Sequence, residues 1–290
     1  MITPALINIF GETIISFYPI LIKLTTLDVP FNTFIRLTSY LLISSLFTNY
    51  NIIGKIGFGK LLALAITNII HILSSYYGFK ALVPSLAESI FYIYPFLILL
   101  LNGLVLQESI NYNKMWFLLP IIYSIYHIYQ ITESDPNKIS SSDEISISKG
   151  IIMIIIAVIT ESLLYILIKT TQLGSNPWNT LFVSYALGAI IYAVYYIWSI
   201  GIDNLKELVN ENKQQVIWLI IANMIIGTLG YGLRFWSIPR VPSLLFTAIS
   251  YTGIIATVFY SFILQIEMFS LQKIGYLALL VFSLLTMLIT

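Results

Sequence analysis

Three glutamates, Glu12, Glu88 and Glu161, and two arginines, Arg36 and Arg234, lie inside runs of sequence that are otherwise almost wholly apolar. An ionisable group in hydrocarbon costs at least about 2.5–3.5 kcal/mol, so each must face a wet cavity or a partner. A carboxylate in such a cavity can bind a cationic or zwitterionic solute or carry a proton. A guanidinium presents a planar fork that fits a carboxylate or phosphate. The plainer readings stand beside these. The acids can pair with Arg36 or Arg234 as structural bridges, Arg36 can snorkel to its helix end, and His71 can hold helices together rather than relay a proton.

The spacing of these residues says what must position them. Ser85, Glu88, Tyr92, Pro95 and Asn102 recur at intervals of three, four or seven, which is one face of a helix. Similar stripes are Asn8, Glu12, Pro19 and Lys23; Asn68, His71, Ser75 and Gly78; Glu161, Tyr165 and Lys169; Asn223, Gly227, Tyr231 and Arg234; and Ser243, Thr247, Ser250 and Thr257. Six helices that each carry one polar stripe predict a shared cavity, with Tyr92, Tyr165 and Tyr231 among its lining. Pro19 and Pro95 remove backbone donors in mid-helix and predict bends suited to gating.

Composition fixes the solvent of those helices. The 290 residues are 58% hydrophobic and only 9% charged, with mean hydropathy +0.91, whereas soluble domains carry about 25% charged residues. The chain belongs in a bilayer. A net charge of +1 supplies no basic face for nucleic acid. With no cysteine and two histidines, a disulfide framework and a Cys/His metal cluster are excluded, and no cofactor is implied.

Ten segments are apolar for about the length a span requires: 5–23, 31–48, 61–79, 84–106, 114–131, 150–170, 177–199, 215–236, 242–265 and 271–289. The segment 132–149, with Glu133, Asp135, Asp143 and Glu144, reads as a polar linker, and Gly201 to Gln214 as a second water-exposed connection. The distribution of Lys and Arg in the short loops favours both termini in the cytoplasm.

The halves resemble one another. "VPSL" opens at 83 and again at 241, each copy followed 24 residues later by a glutamine, Gln107 or Gln265, with Glu108 or Glu267 just beyond. "ILIK" at 20 and 166 is followed by "PFNT" at 30 and "PWNT" at 177. A duplicated unit of five spans must enter the membrane from opposite sides, giving an inverted repeat with a site near the bilayer midplane. The expected units are 1–131 and 150–290.

The run "YYGFKALVPSLAESIFYIYPFLILLLNGLVLQESI" resembles the end of the third helix, the fourth helix and the following Glu of the EamA-like family in the drug/metabolite transporter superfamily. Arg36, Pro95 and Glu108 stand where that pattern has Arg, Pro and Glu. The resemblance implies an all-α integral membrane protein of ten transmembrane helices, two inverted repeats of five, with the fifth and tenth helices peripheral and a small metabolite as cargo. Departures are Val183 opposite Arg36, Gly253 opposite Pro95, and Pro120 in the fifth span.

The function expected is therefore that of a secondary transporter of a small polar metabolite working by alternating access, not an enzyme. Proton coupling and a homodimer are left open. A non-transporting membrane scaffold of the same fold is the first alternative. A membrane-embedded enzyme is the second, and it lacks a metal-spaced His pair and a G-x-S-x-G elbow. With no G-x-x-x-x-G-K-[ST] loop, ATP is not the direct energy source.

Overall fold

The computed structural model describes residues 2–105, 107, 116–133, 146–171 and 176–289; Glu108 and most of the acidic linker lie outside these. Among the described residues every regular element is helical. In chain order these are α1 (Ile2–Ile15), α2 (Tyr18–Leu24), α3 (Val29–Ser45), α4 (Phe58–Ala81), α5 (Pro84–Phe91), α6 (Tyr94–Val105), α7 (Leu118–Glu133) and α8 (Ile147–Thr171). They continue as α9 (Pro177–Ile200), α10 (Ile202–Glu211), α11 (Lys213–Ile225), α12 (Gly232–Ser237), α13 (Ser243–Ser250), α14 (Thr252–Ile263) and α15 (Leu271–Ile289). Six helical stretches are long and apolar enough to span a bilayer: Thr3–Leu24, Phe58–Ala81, Pro84–Val105, Ile147–Thr171, Pro177–Ile200 and Lys213–Ser237. The other expected spans coincide with α3, α7, the α13 and α14 pair, and α15, which are shorter or broken. Leu104, Trp198, Phe262 and Phe282 are exposed, as lipid-facing side chains would be.

Helix starts follow local chemistry. Asp28 accepts from Phe31 N at 2.8 Å and Asn176 from Trp178 N at 2.9 Å, each ahead of a proline in the first turn. The predicted bends are present. The chain leaves α-geometry between α1 and α2, just before Pro19, and between α5 and α6, just before Pro95. Backbone carbonyls around the breaks are satisfied from the other half of the chain. Thr257 donates to Ser16 O at 2.8 Å, Tyr260 to Thr13 O at 3.1 Å, and Ser162 to Tyr94 O at 3.1 Å.

Two breaks have no proline. Between α13 and α14 the turn falls at Tyr251, and the Tyr92 hydroxyl sits where a Cβ on Gly253 would be, 1.7 Å away. Between α11 and α12, Ile226–Tyr231 widens into a π-helix, a feature common at functional sites. It lays Gly227 against the Tyr40 ring and sets the directions of Tyr231 and Arg234. Similarly, α4 and α8 cross closely because Gly150 faces Ala81, 2.6 Å from where its Cβ would stand, and Gly78 faces Ile154.

Packing joins the halves throughout. Helix α3 lies on α9, α7 on α15, α4 on α8 and α9, and α1 on α12 and α13. Gln107 and Gln265 are the non-glycine residues with positive φ among those described, at 56° and 52°. They end α6 and α14 at the same place in each "VPSL" copy. The connection Gly201 to Gln214, expected as a polar link, holds α10, a helix with no buried residue.

Candidate functional site

The π-helix and α12 carry Arg234 into the centre of the bundle, where it is 3% exposed. Its Nε lies 3.2 Å from Glu12 Oε1 on α1, and its Nη2 lies 2.7 Å from Glu161 Oε1 on α8. Nη2 also donates to the Tyr94 hydroxyl at 2.9 Å. The other oxygen of Glu161 lies 3.4 Å from His71 Nε2, and His71 Nδ1 faces the Ala157 carbonyl at 3.3 Å. Glutamates from the two halves thus meet on one guanidinium. Both acids have charge compensation that lipid could not provide, although the Glu12 oxygens make no hydrogen bond.

Arg36 is held differently. It is 1% exposed and does not snorkel. Its guanidinium carbon lies 4.1 Å from the Tyr18 ring centre, 5.2 Å from Tyr231 and 5.4 Å from Tyr40 and Tyr76. Nη2 donates to the Tyr231 hydroxyl at 2.9 Å and more weakly toward Tyr185 at 3.5 Å. Among the described residues no carboxylate comes within ion-pair distance of it, and its Nε–H has no acceptor. Cation–π attraction supplies about 0.5–2 kcal/mol for a ring so placed, which is partial compensation.

Tyr231 stands between the two arginines, its ring also 5.9 Å from Arg234. It lines a narrow pocket, with room for about one water, together with Glu161, Arg234, Tyr165, Tyr185 and Asn68 and the apolar Leu164 and Phe235. Of the sequence-derived candidates, Glu161, Tyr165, Tyr231 and Arg234 are on this wall. Glu12 and His71 stand one residue behind it, on Arg234 and Glu161. Arg36 stands behind Tyr185 and Tyr231.

Glu88 and Tyr92 lie elsewhere in the bundle. Glu88 is buried, its Oε2 has no hydrogen-bond partner, and its charged neighbour is Glu12. Tyr92 shares a 3.0 Å hydrogen bond with Ser16 beside the α1 break. The side chains of Ser243 and Thr247 lie outside those described.

The profile of the EamA-like transporter family matches residues 148–289, the span that contributes α8 to α15 and most of the cavity wall. Over those residues, just under half of the chain, the sequence is similar to that family. This is a family of the drug/metabolite transporter superfamily, whose members are membrane transporters rather than enzymes. A solved crystal structure superposes with a TM-score of 0.64 at 13% identity, covering 99% of this chain and 95% of that one, so the fold extends over both halves. No curated protein matches the chain.

Of the five tyrosines that hold Arg36, Tyr231 was read from the sequence and the other four were not, nor was Tyr94. Tyr18, Tyr40, Tyr76 and Tyr185 come from four different helices, so no spacing within one helix connects them. The signals available were Tyr40, one helical turn after Arg36, and Tyr abundance, 20 in 290 residues.

Glu267 has a structural partner set. It accepts from Ser85 N at 3.0 Å and from the Ser85 hydroxyl, capping α5. It also pairs with buried Lys273, which reaches Thr132 at 3.2 Å.

Proposed function

We propose that the protein is a secondary transporter of a small polar metabolite, built as two inverted units of five spans, 1–131 and 150–290, joined by a polar linker. The matched left-handed glutamines at 107 and 265 support that duplication, as do the paired packings of α3 with α9 and α7 with α15. Under this symmetry α8, α9 and α12 correspond to the α1 and α2 pair, α3 and α4.

The observation that carries the functional reading is the cavity among α4, α8, α9 and α12, walled by Glu161, Arg234 and tyrosines. Its symmetry-related position, among α2, α3, α4 and α11, is filled by Arg36 with Tyr18, Tyr40 and Tyr76, and Tyr18 is tied to Asn223 at 2.9 Å. One half-site keeps a narrow pocket while its counterpart is filled by side chains, an asymmetry that supports alternating access. Glu88, a carboxylate buried without a cation among the described residues, is the position we assign to a co-transported proton.

The test is uptake into proteoliposomes across a panel of amino acids, amines, sugars and phosphorylated metabolites, with and without a proton gradient. Uptake of one chemical class above that of protein-free liposomes is expected. A folded, correctly inserted protein that moves none of them would leave the scaffold reading in its place.

A further inference from the structure

We propose that Arg36 is the seat for an anionic group of the substrate, a carboxylate or phosphate, reached through Tyr185 and Tyr231. The proposal rests on the transporter reading and narrows its cargo to anions.

The two buried arginines have opposite vacancies. Arg234 has both of its described guanidinium contacts to acids, from Glu12 and Glu161, and a tyrosine hydroxyl besides. Its charge is already met by two carboxylates. Arg36 carries five N–H donors, of which the described residues engage those of one nitrogen, toward Tyr185 and Tyr231, while Nε–H has no acceptor. It faces rings rather than carboxylates, and no anion among the described residues makes an ion pair with it.

The same two tyrosines line the cavity. Their hydroxyls now accept from Arg36. A hydroxyl also donates, so each can turn its hydrogen to an anion oxygen in the cavity while its lone pairs stay on the guanidinium. An anion arriving there gains two O–H donors and the field of a desolvated guanidinium, and rotation of the tyrosines would complete a bidentate contact. A cation at the same place would meet Arg36 and Arg234 together, with Glu161 already committed to Arg234 and His71.

The experiment is thermal stabilisation of the purified full chain by inorganic phosphate, succinate, glucose and putrescine, repeated with Arg36→Lys and with Tyr185→Phe/Tyr231→Phe. Both variants keep the cavity's shape, and the second keeps the arginine. Stabilisation by phosphate or by succinate, weakened about tenfold or more in apparent affinity by each variant, is expected, and the two probes separate the phosphate source from the carboxylate. Stabilisation by glucose or putrescine alone would overturn the anion seat while leaving a transporter standing. An anion effect indifferent to both variants would overturn it as well. Failure of every probe, together with absent uptake in proteoliposomes, would remove the transporter reading and this one with it.

Discussion

Replacing Arg234 by Gln strands two buried acids at once. Glu12 loses its described cation at 3.2 Å, and Glu161 loses the 2.7 Å contact, keeping only His71 at 3.4 Å. Removing one partner of a buried pair costs about 3–5 kcal/mol, because the remaining charge has neither water nor counter-charge. The shift in melting temperature is about 2–4 °C per kcal/mol for chains approaching this size. The expected fall is on the order of 10 °C, measured as loss of the monodisperse peak after heating in detergent. Adding Glu12→Gln should recover part of it, with coupling of about 1–3 kcal/mol between the two positions, because the stranded charge is then gone. If Arg234→Gln melts within about 2 °C of the parent, the ion-pair hub contributes nothing to the folded state and the reasoning fails.

Three further outcomes follow from the same geometry. Glu88→Gln removes no ion pair among the described residues, so melting should be unchanged while proton-driven uptake, followed with an internal pH dye, is lost; retained proton flux would contradict the role given to Glu88. Gly150→Val places a side chain against Ala81 and Leu82, and overpacking should cost about 1–3 kcal/mol, read as lower resistance to denaturing detergent. Glu267→Gln weakens the α5 cap to a neutral amide and leaves Lys273 buried without its acid; a loss of about 3–5 kcal/mol is expected, and Glu267→Leu/Lys273→Met should be milder than the single change.

The parts of this architecture that were legible in sequence are those that a single helix encodes. Pro19 and Pro95 announce their bends because a missing N–H acts locally. Glu12, Glu161 and Arg234 announce burial because a charge in hydrocarbon demands an explanation wherever it sits. The proposed repeat was suggested by the two "VPSL" words, and the glutamines that follow them share a left-handed backbone. What stayed hidden depends on several helices at once. The Arg36 enclosure draws one tyrosine from each of α2, α4 and α9, with Tyr40 from its own helix and Tyr231 from the π-helix. The turn at Tyr251 has no proline, and beside it Tyr92 is pressed onto Gly253. The π-helix at Ile226–Tyr231 contains no proline, and its Gly227 and Gly230 lie against Tyr40 and Ile15.

The central claim is that the cavity opens alternately to the two sides of the membrane. The chain contains no cysteine, so Leu164→Cys places a single thiol on the cavity wall without disturbing Glu161 or Arg234. In sealed, uniformly oriented vesicles, a membrane-impermeant thiol reagent applied from either side should label that cysteine, and a transported solute should slow labelling from both. Labelling from one side only, or from neither in a folded protein, would contradict the account.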